Sequence, residues 1–563
     1  MISLPLESLC GISRLKNFSV SAVRDGNFRG QRRLKTFVST ANIATSRKQD
    51  STAPSSERIE DAATYLTYPP KVSHSTTAPL VDALRTCAKE DVACFHFPGH
   101  NRGKAAPPSL ESITGISTFL HDLPELPKLD DLFSPKGVIL DAQRKAAGLF
   151  GALETWFLVG GTTCGIQASI MATCAPGETL ILPRNSHISA TTGLVLSGAS
   201  PKYIMPEYSS DWDIPGGITP SQVKQAIEDL AAESKTAAAV LLTSPTYHGI
   251  CSNISEITSL CHSYGIPVIV DEAHGAHFRF HCDFPSTALQ QGADLAVQST
   301  HKVLTSLTQS SMLHLSGNLI DRDSVSRCLQ MLQSSSPNYL LLASLDAARA
   351  QLSENPNTIF ISSLNLAIKA KKELGEISGI SVLDLSCFSS LFPAIDPLRI
   401  TVGVSKLGIS GYRADDILCD ELKIISELVG CKSVTFAVNL GTTKEQIQIL
   451  LSGLRHLSSV FYGAKGLEYS KRTRISAPFT DIIIGLSPRD AFFSKKRKVV
   501  MEESIGKICG ELISSYPPGI PVLVPGEVVT KEAIFYLLEM KRMGAAISGA
   551  ADHELSLLTI CDL

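Results

Sequence analysis

The stretch ADLAVQSTHKVLTSLTQSSMLH runs from Ala293 to His314 and contains one lysine, Lys302. Its first eight residues have the apolar composition of a buried strand. Lysine is normally a surface residue, yet this one stands between hydroxyl-bearing residues and an apolar run. A lone lysine at a strand end is usually solvated, so the meaning of this one depends on the fold around it.

Apolar runs of the same kind alternate with helical patterns along much of the chain. Segment 221–234, for example, has apolar residues at helical spacing. Strands that alternate with helices predict an α/β fold with a mostly parallel sheet covered on both faces. The predicted strands are 155–161, 178–183, 201–206, 237–245, 266–274 and 293–300.

The pattern changes after about residue 364. LRITVGVS and SVTFAVNL predict antiparallel strands, and SGYRADDILCDELKIISEL predicts a helix, so a smaller α+β domain is expected. The KKRK run at 495–498 is interpreted as a solvated helix face rather than a nuclear signal. The predicted divisions are a transit peptide (1–48), a linker (49–77), a large α/β domain (78–364) and a C-terminal α+β domain (365–563).

The composition excludes some classes of function. The 563 residues carry a formal net charge of −3, which gives no reason to expect nucleic-acid binding. No run of about 18 apolar residues predicts a membrane span. The fourteen cysteines include no Cys-x-x-Cys pair, which fits buried free thiols in a reducing compartment and lacks metal-site spacing.

The first 48 residues differ from the rest. They contain nine Lys/Arg against two acids, with scattered serines and no long apolar core. This composition is typical of an organelle transit peptide, and the many hydroxyl residues favour a chloroplast over a mitochondrion. A disordered basic tail on a cytosolic protein is the alternative.

Several polar residues fall at predicted strand ends, where open parallel sheets bind ligands. Gly161, Thr162 and Thr163 close one strand and open a helix, so free N–H groups and two hydroxyls predict an anion site. The turn lacks the lysine of a P-loop and the third glycine of a dinucleotide fingerprint. An ordinary structural turn is therefore the alternative interpretation.

Asp271 and His187 also follow strands. A buried carboxylate at Asp271 needs a partner, which a cationic ring nitrogen would supply; otherwise it caps a turn. The flat ring of His187 either stacks on a cofactor or belongs to an ordinary polar turn residue. His274 and His277 are possible metal ligands, but no other strand-end residue supports a metal site.

Lys302 completes this set. A desolvated lysine near cationic or phosphate groups has a depressed pKa and becomes an amine nucleophile. Together, the three strand ends predict a phosphate cradle, a pyridinium partner and an aldehyde trap. These are the requirements of a Schiff base with pyridoxal phosphate.

Ordered motifs extend this interpretation to a family. They include FHFPGHNRG (95–103), FLVGGTTCGIQASIMA (157–172), TSPTYHGI (243–250), DEAHGAH (271–277) and YPPGIPVLVPGE (516–527). With them the chain resembles the bacterial-type ornithine/lysine/arginine decarboxylases, which are pyridoxal-phosphate enzymes of aspartate-aminotransferase fold. The basic N-terminus suggests a plant or organelle-targeted member. The matching region spans roughly residues 78 to 540.

The resemblance implies a role for each matching residue. Lys302 is expected to form the Schiff base, Asp271 to pair with the pyridinium nitrogen, and His187 to stack on the ring. The other implied cofactor contacts are Ala273 against the second ring face, His274, Gly161, and the phosphate ligands Thr162, Thr163, Ser299 and His301. Glu527 is implied near the cationic end of the substrate. Lys302, His301 and His274 remain alternative proton donors to the α-carbon.

The implied activity is decarboxylation of lysine, ornithine or arginine in amine or polyamine biosynthesis. The alternatives are another pyridoxal-phosphate reaction, such as transamination or desulfuration, and a non-catalytic paralogue that binds the cofactor. A homodimer is implied, with segment 332–349 reaching the neighbour's cofactor. The sequence departs from the family pattern at Gly160, Asn101 and His248, and such changes bear on substrate choice.

Overall fold

The computed structural model describes residues 76–388, 390–463, 482–516 and 519–563. The predictions for residues 1–48 and for most of 49–77 lie outside the described residues. Within the described ranges, the helices are α1 (Pro79–Lys89), α2 (Pro108–Thr114), α3 (Ile116–His121), α4 (Val138–Phe150), α5 (Gly161–Thr173), α6 (Ile188–Ser197), α7 (Pro220–Ala232), α8 (Ile254–Ser263), α9 (Thr300–Val303), α10 (Arg322–Leu332), α11 (Tyr339–Glu354), α12 (Ile361–Gly375), α13 (Gly411–Asp416), α14 (Lys444–Phe461), α15 (Pro488–Phe493) and α16 (Lys531–Arg542).

The strands follow the same chain order. They are β1 (Glu154–Leu158), β2 (Thr179–Pro183), β3 (Ser200–Ile204), β4 (Tyr208–Ser209), β5 (Ile214–Pro215), β6 (Ala237–Thr243), β7 (Ile250–Cys251), β8 (Val268–Asp271), β9 (Leu295–Gln298), β10 (Ser311–Leu315), β11 (Ser381–Val382), β12 (Ala394–Ile395), β13 (Arg399–Gly403), β14 (Leu428–Val429), β15 (Ser433–Ala437), β16 (Lys496–Val500), β17 (Ile513–Tyr516), β18 (Ile520–Leu523), β19 (Ala546–Ser548) and β20 (Leu557–Cys561).

A seven-stranded sheet in the order β1-β10-β9-β8-β6-β2-β3 forms the centre of the large domain. Strands β9, β8, β6, β2 and β3 are parallel, and β10 runs antiparallel to both of its neighbours. The predicted α/β fold with a mostly parallel sheet is confirmed.

The apolar runs of this sheet are buried on both faces. On β2, Leu180 and Leu182 belong to one apolar cluster with α5 and α6, while Ile181 belongs to another with α7 and α8. Alternate residues of a strand point to opposite faces, so helices on both faces require a strand that is apolar throughout. This packing fixes the parallel strands and brings their carboxyl ends to one edge.

The chain beyond the large sheet forms smaller layers. Strands β11-β13-β15-β14 make a four-stranded antiparallel sheet on which α12 and α14 pack, as expected for an α+β domain. The last part carries a β16–β20 ribbon, a β18-β17-β19 sheet and α16. The predicted boundary at residue 364 falls inside α12, and it stays a prediction.

Two local predictions are wrong. Residues 495–498 are not a helix face, because β16 (Lys496–Val500) pairs with β20, and its exposed basic residues lie on that ribbon. The long helix predicted at 410–428 is broken, because α13 passes into a π-turn at 417–421 and Lys423 adopts a left-handed φ of 57°. Among the described residues, none of the helices is long and apolar enough to cross a membrane.

Candidate active site

A cavity of about 280 Å³ opens at the carboxyl edge of the parallel strands. Its walls come from the segments after β1, β2, β6, β8 and β9. The structure therefore brings together residues that are up to 149 positions apart (160 to 309). All but one of the sequence-predicted site residues line it: Gly161, Thr162, Thr163, His187, Asp271, Ala273, His274, Ser299, His301 and Lys302.

Lys302 lies in the short helix α9, directly after β9. Its Nζ is 3.0 Å from Nε2 of His274. The side chain is accessible to water because it faces the cavity, but protein atoms surround it closely. That desolvation lowers the pKa of Lys302, and the nearby Arg399 charge lowers it further, while Asp271 acts in the opposite direction.

Arg399 fixes the protonation of His274. Its Nη2 lies 2.8 Å from His274 Nδ1, and a guanidinium can only donate. Nδ1 must therefore accept, and the hydrogen of the neutral imidazole is on Nε2. Burial moves the pKa of His274 well below its usual value, so the ring is neutral.

This arrangement makes Lys302 a neutral amine. The Nε2–H of His274 points at Nζ, and an ammonium there would place a donor against a donor. A neutral amine accepts that hydrogen through its lone pair. The lone pair is also what attacks an aldehyde, so the geometry holds Lys302 in its nucleophilic form.

Asp271 is the last residue of β8 and is 6% exposed. Its Oδ1 accepts the backbone N–H of Ala273 at 3.1 Å, and desolvation raises its pKa. None of the ion pairs in the described residues involves this carboxylate. A cationic ring nitrogen in the cavity would compensate its burial.

His187 caps the N-terminus of α6 with its ring. Its Nδ1 accepts the backbone N–H of Ser189 at 3.2 Å and lies 2.9 Å from the same residue's hydroxyl. Burial lowers its pKa to about 4. The ring is therefore neutral and held in one orientation, which suits a stacking surface.

The start of α5 forms a polar cradle. Gly161 has a φ of 72°, a region that residues with a Cβ rarely adopt, and it opens a helix of 13 residues with free N–H groups. Thr162 Oγ1 lies 2.7 Å from Ser299 Oγ and 3.1 Å from Ser311 Oγ. Thr163 is exposed to the cavity. The positive end of a helix dipole and these hydroxyls suit a phosphate.

One polar atom in the cavity wall lacks a partner. Thr243 Oγ1, at the end of β6, is buried without a hydrogen bond. A bound group with a polar atom at that position would satisfy it. The cradle, the uncompensated Asp271, the neutral Lys302 amine and this hydroxyl all fit pyridoxal phosphate.

His301 is held to one side of the lysine. Its Nδ1 donates to the carbonyl of Ser310 at 2.8 Å. The ring lines the cavity, but its hydrogen bond is to a backbone carbonyl rather than to Lys302. His274 is therefore the histidine in direct contact with the reacting amine.

Glu527 is the predicted site residue that the structure does not bring to the cavity. Its two carboxylate oxygens accept from Arg184 Nε at 2.7 Å and from Nη2 at 2.8 Å. It also accepts the backbone N–H of Val524 at 3.2 Å. Both side chains are buried, so the geometry of this chain gives Glu527 a structural role and does not support contact with the substrate.

Two of the departures from the family pattern have local explanations. A Cβ at Gly160 would come within 2.8 Å of the Cβ of Cys164, so a larger residue does not fit beside that cysteine. Asn101 and Arg102 both have positive φ, and the guanidinium of Arg102 donates to carbonyls at the end of α1. These residues shape a turn next to α1.

Sequence reasoning missed several residues of the site. Tyr247 packs edge-on against the His274 ring at 5.1 Å, and Gln309 lines the cavity with a φ of 81°. Arg399 was missed although it opens the apolar strand LRITVGV. A charged residue in a buried strand needs a partner, and that signal was present in the sequence.

The fold and this cavity define a pyridoxal-phosphate enzyme. The architecture supplies strand ends for the cradle, the carboxylate and the lysine. A lysine decarboxylase from Francisella novicida has the same fold, with a TM-score of 0.74 and 23% identity over 87% of this chain and 82% of that one.

The chain belongs to the Orn/Lys/Arg decarboxylase family. The major domain of that family matches residues 78–432, and its C-terminal domain matches 485–553. Arginine decarboxylase of Halalkalibacterium halodurans is 36% identical over 87% of this chain and 98% of its own length. Lysine decarboxylase of Hafnia alvei is 25% identical over 84% of this chain and 76% of its own. The protein is thus a pyridoxal-phosphate-dependent decarboxylase of a basic amino acid.

Proposed function

We propose that the substrate is L-arginine, which is converted to agmatine and carbon dioxide. The relatives at 35–36% identity that carry a functional name are arginine decarboxylases, and they match over nearly their full length. The lysine decarboxylases match at 24–25% and over about three quarters of theirs. Agmatine supply for polyamine biosynthesis is the corresponding biological role.

Pyridoxal phosphate, when bound, supplies an aldehyde for the amine and a ring that accepts the electron pair left by carbon dioxide. Lys302 is the residue that would bond to it. The α5 cradle would hold its phosphate, and Asp271 would keep the ring nitrogen protonated. His187 would stack on the cofactor ring and fix its plane. The bond between the substrate's α-carbon and its carboxylate could then be held perpendicular to that plane.

His274 is the residue we propose as the proton donor to the α-carbon. Its Nε2–H already faces Nζ of Lys302, so it faces the place where the substrate amine exchanges with that lysine. Arg399 keeps the hydrogen on Nε2. His301 directs its Nδ1–H to a backbone carbonyl, which leaves it less suited to the role.

The active form is proposed to be a homodimer. An unusual run of exposed apolar side chains lies between residues 92 and 116, with Phe95 99% exposed, Phe97 84% and Ile113 81%. Exposed apolar side chains concentrated in one segment are typical of protein interfaces. The segment predicted to reach the neighbour, 332–349, is a poorer candidate, because most of α11 is buried against its own chain.

A chloroplast location is proposed from the basic first 48 residues. The test is a fluorescent-protein fusion of those residues in plant cells, with a fusion that begins at residue 76 as the control. Fluorescence in the chloroplast only with the 48-residue segment supports the proposal. Cytosolic fluorescence from both fusions would refute it.

The substrate is tested with purified protein and each of L-arginine, L-lysine and L-ornithine. Carbon dioxide and the amine product are measured together, because transamination or desulfuration would form product without carbon dioxide. The expected result is equimolar agmatine and carbon dioxide, with arginine preferred in kcat/KM. Preference for lysine or ornithine would overturn the substrate assignment, and no release from any of the three would overturn the activity.

A further inference from the structure

A second, smaller cavity of about 80 Å³ is lined by His248, the residue that follows Tyr247 in the wall of the Lys302 cavity. Five parts of the chain form it: the β4–β5 hairpin, His248 after β6, Tyr412 in α13, the β14–β15 turn, and the region of β17, β18 and α16. One water occupies about 30 Å³ of liquid, so this space suits a group of a few heavy atoms rather than a whole amino acid.

Asp213 is the charged group in this cavity. It sits in the hairpin between β4 and β5 with a φ of 56°, a left-handed conformation that few residues with a Cβ adopt. Its carboxylate accepts from the hydroxyl of Tyr208, and the thiol of Cys431 lies within hydrogen-bonding range. Both are neutral donors.

Asp213 lacks an ion pair in the described residues, and the Lys432 charge acts on it through space. The Lys432 ammonium itself donates to the carbonyl of Ser210. Burial raises the pKa of the Asp213 carboxyl. Asp213 is half-buried, and a carboxylate whose hydrogen bonds come from neutral groups is a site that a cation would stabilise.

The rest of the lining suits a cation as well. Tyr208, Tyr412 and Tyr536 contribute aromatic rings, and Met540 contributes a thioether. Aromatic faces attract guanidinium and ammonium groups, most strongly where water is excluded. The lining therefore combines one carboxylate with a set of ring surfaces.

The two cavities adjoin at a pair of consecutive residues. Tyr247 lines the cavity of Lys302, and His248 lines the second one. His248 is held by Thr435 Oγ1 at 3.2 Å from its Nδ1. Its ring stands at the boundary between the two cavities, at a position where the sequence departs from the family pattern.

We propose that the second cavity binds the cationic end of the substrate side chain, with the Asp213 carboxylate as its counter-ion and His248 at the passage between the two cavities. The proposal rests on the proposed decarboxylation of a basic amino acid. The amine reacts at Lys302, and the guanidinium or ammonium group reaches past His248 to Asp213. The carboxylate of Glu527 does not compete for this role, because Arg184 occupies it.

One rival carboxylate remains near the lysine. Glu427 raises the pKa of Lys302 by its charge, and its side chain is exposed. It precedes β14, whose residues line the second cavity. The experiment therefore compares Asp213→Asn with Glu427→Gln. Asparagine also tolerates a left-handed φ, so the first variant is expected to fold.

The test uses the holoenzyme with its preferred basic amino acid, the competitive inhibitor L-norleucine and the product agmatine. Norleucine has an uncharged side chain, so it reports on the cavity of Lys302 without the cation. Asp213→Asn is expected to raise KM for the basic substrate and Kd for agmatine by about 10- to 100-fold, the worth of a charge-assisted hydrogen bond. Ki for norleucine is expected to stay within about twofold.

Two matched variants sharpen the result. Tyr208→Phe keeps the carboxylate and is expected to change KM by less than about fivefold, since only a neutral donor is lost. His248→Tyr enlarges the ring at the passage and is expected to raise KM for arginine without changing Ki for norleucine. An equal loss of norleucine binding in Asp213→Asn would show a structural defect and overturn the proposal.

The remaining outcomes separate this proposal from the proposed function. An active wild type with an unchanged KM in Asp213→Asn, or with the whole effect in Glu427→Gln, overturns the cation site and leaves the decarboxylase activity standing. A wild type that releases no carbon dioxide, but whose agmatine binding is lost in Asp213→Asn, overturns the activity and supports the cation site.

Discussion

Replacement of Glu527 by glutamine tests whether this residue holds the fold or the substrate. The carboxylate accepts two hydrogen bonds from Arg184, at 2.7 and 2.8 Å, and both side chains are almost fully buried. Glutamine keeps the shape but removes the negative charge. The buried guanidinium then loses the negative charge to which it donates two hydrogen bonds.

The expected cost follows from that burial. Removal of one partner of a buried ion pair costs about 3–5 kcal/mol. Arg184 also donates to the carbonyls of Pro521 and Val522, which remain in the variant, so we expect the lower end, about 3 kcal/mol. The urea slope is about 1–3 kcal/mol per molar for small proteins and rises with size, so the unfolding midpoint of this chain should fall by about 1 M or less.

The pair between Glu154 and Arg322 is the matched control. It is also bidentate, with Nε and Nη2 donating to the two oxygens, but Arg322 is 52% exposed. Glu154→Gln should lower stability by no more than about 1 kcal/mol. Urea unfolding is followed by circular dichroism for both variants, and KM for arginine is measured in each.

Glu527→Gln is expected to be much less stable than Glu154→Gln, with a KM within about twofold of the wild type. An unchanged midpoint together with a raised KM would refute the reasoning. It would mean that the carboxylate reaches the substrate and that Arg184 is satisfied by the carbonyls alone.

The other predictions concern the lysine, its neighbours and the interface. Lys302→Ala should lose the cofactor mass that borohydride fixes to the wild-type chain. Arg399→Met removes a charge that lowers the pKa of Lys302, so in cofactor-free protein the reaction of that amine with acetic anhydride should require a higher pH. His187 has a pKa of about 4 in the folded protein against about 6.5 in the unfolded chain, so the unfolded chain binds more protons between those pH values. The free energy of unfolding should therefore fall as the pH drops from 6.5 to 4, and it should fall less in His187→Phe. Phe95→Ser with Phe97→Ser should weaken the dimer by about 3 kcal/mol or more, at least a hundredfold in Kd, as measured by light scattering.

Each of these expectations has a contrary result. Cofactor still fixed to the Lys302 variant would place the Schiff base elsewhere. An unchanged pH profile in the Arg399 variant would show that the guanidinium does not control the amine. Equal acid sensitivity of wild type and His187→Phe would assign that sensitivity to other groups. A dimer of unchanged strength in the Phe95/Phe97 variant would remove segment 92–116 from the interface.

Much of the site followed from the sequence because parallel strands share one edge. Once the runs ending at Asp271 and Gln298 are identified as parallel neighbours, Asp271 and Lys302 must lie close together. The same logic placed His187 and the Gly161 turn. Strand ends are fixed by hydrophobic patterning over many residues, so this inference does not need side-chain detail.

The rest depended on contacts between distant layers. Arg399 reaches His274 from the second sheet, and Arg184 reaches Glu527 across 343 positions of chain. No local pattern specifies which charged residues meet when separate layers pack. The family resemblance therefore implied that Glu527 lies near the substrate, whereas in the structure its carboxylate pairs with Arg184.

The buried Arg184–Glu527 pair has a consequence for synthesis. Arg184 follows β2, in the first half of the large domain, while Glu527 comes 343 positions later, after β18. The pair can therefore form only after the later part of the chain has been made. Folding at the end of β2 and docking of the segment that contains Glu527 are thus coupled through this one buried pair.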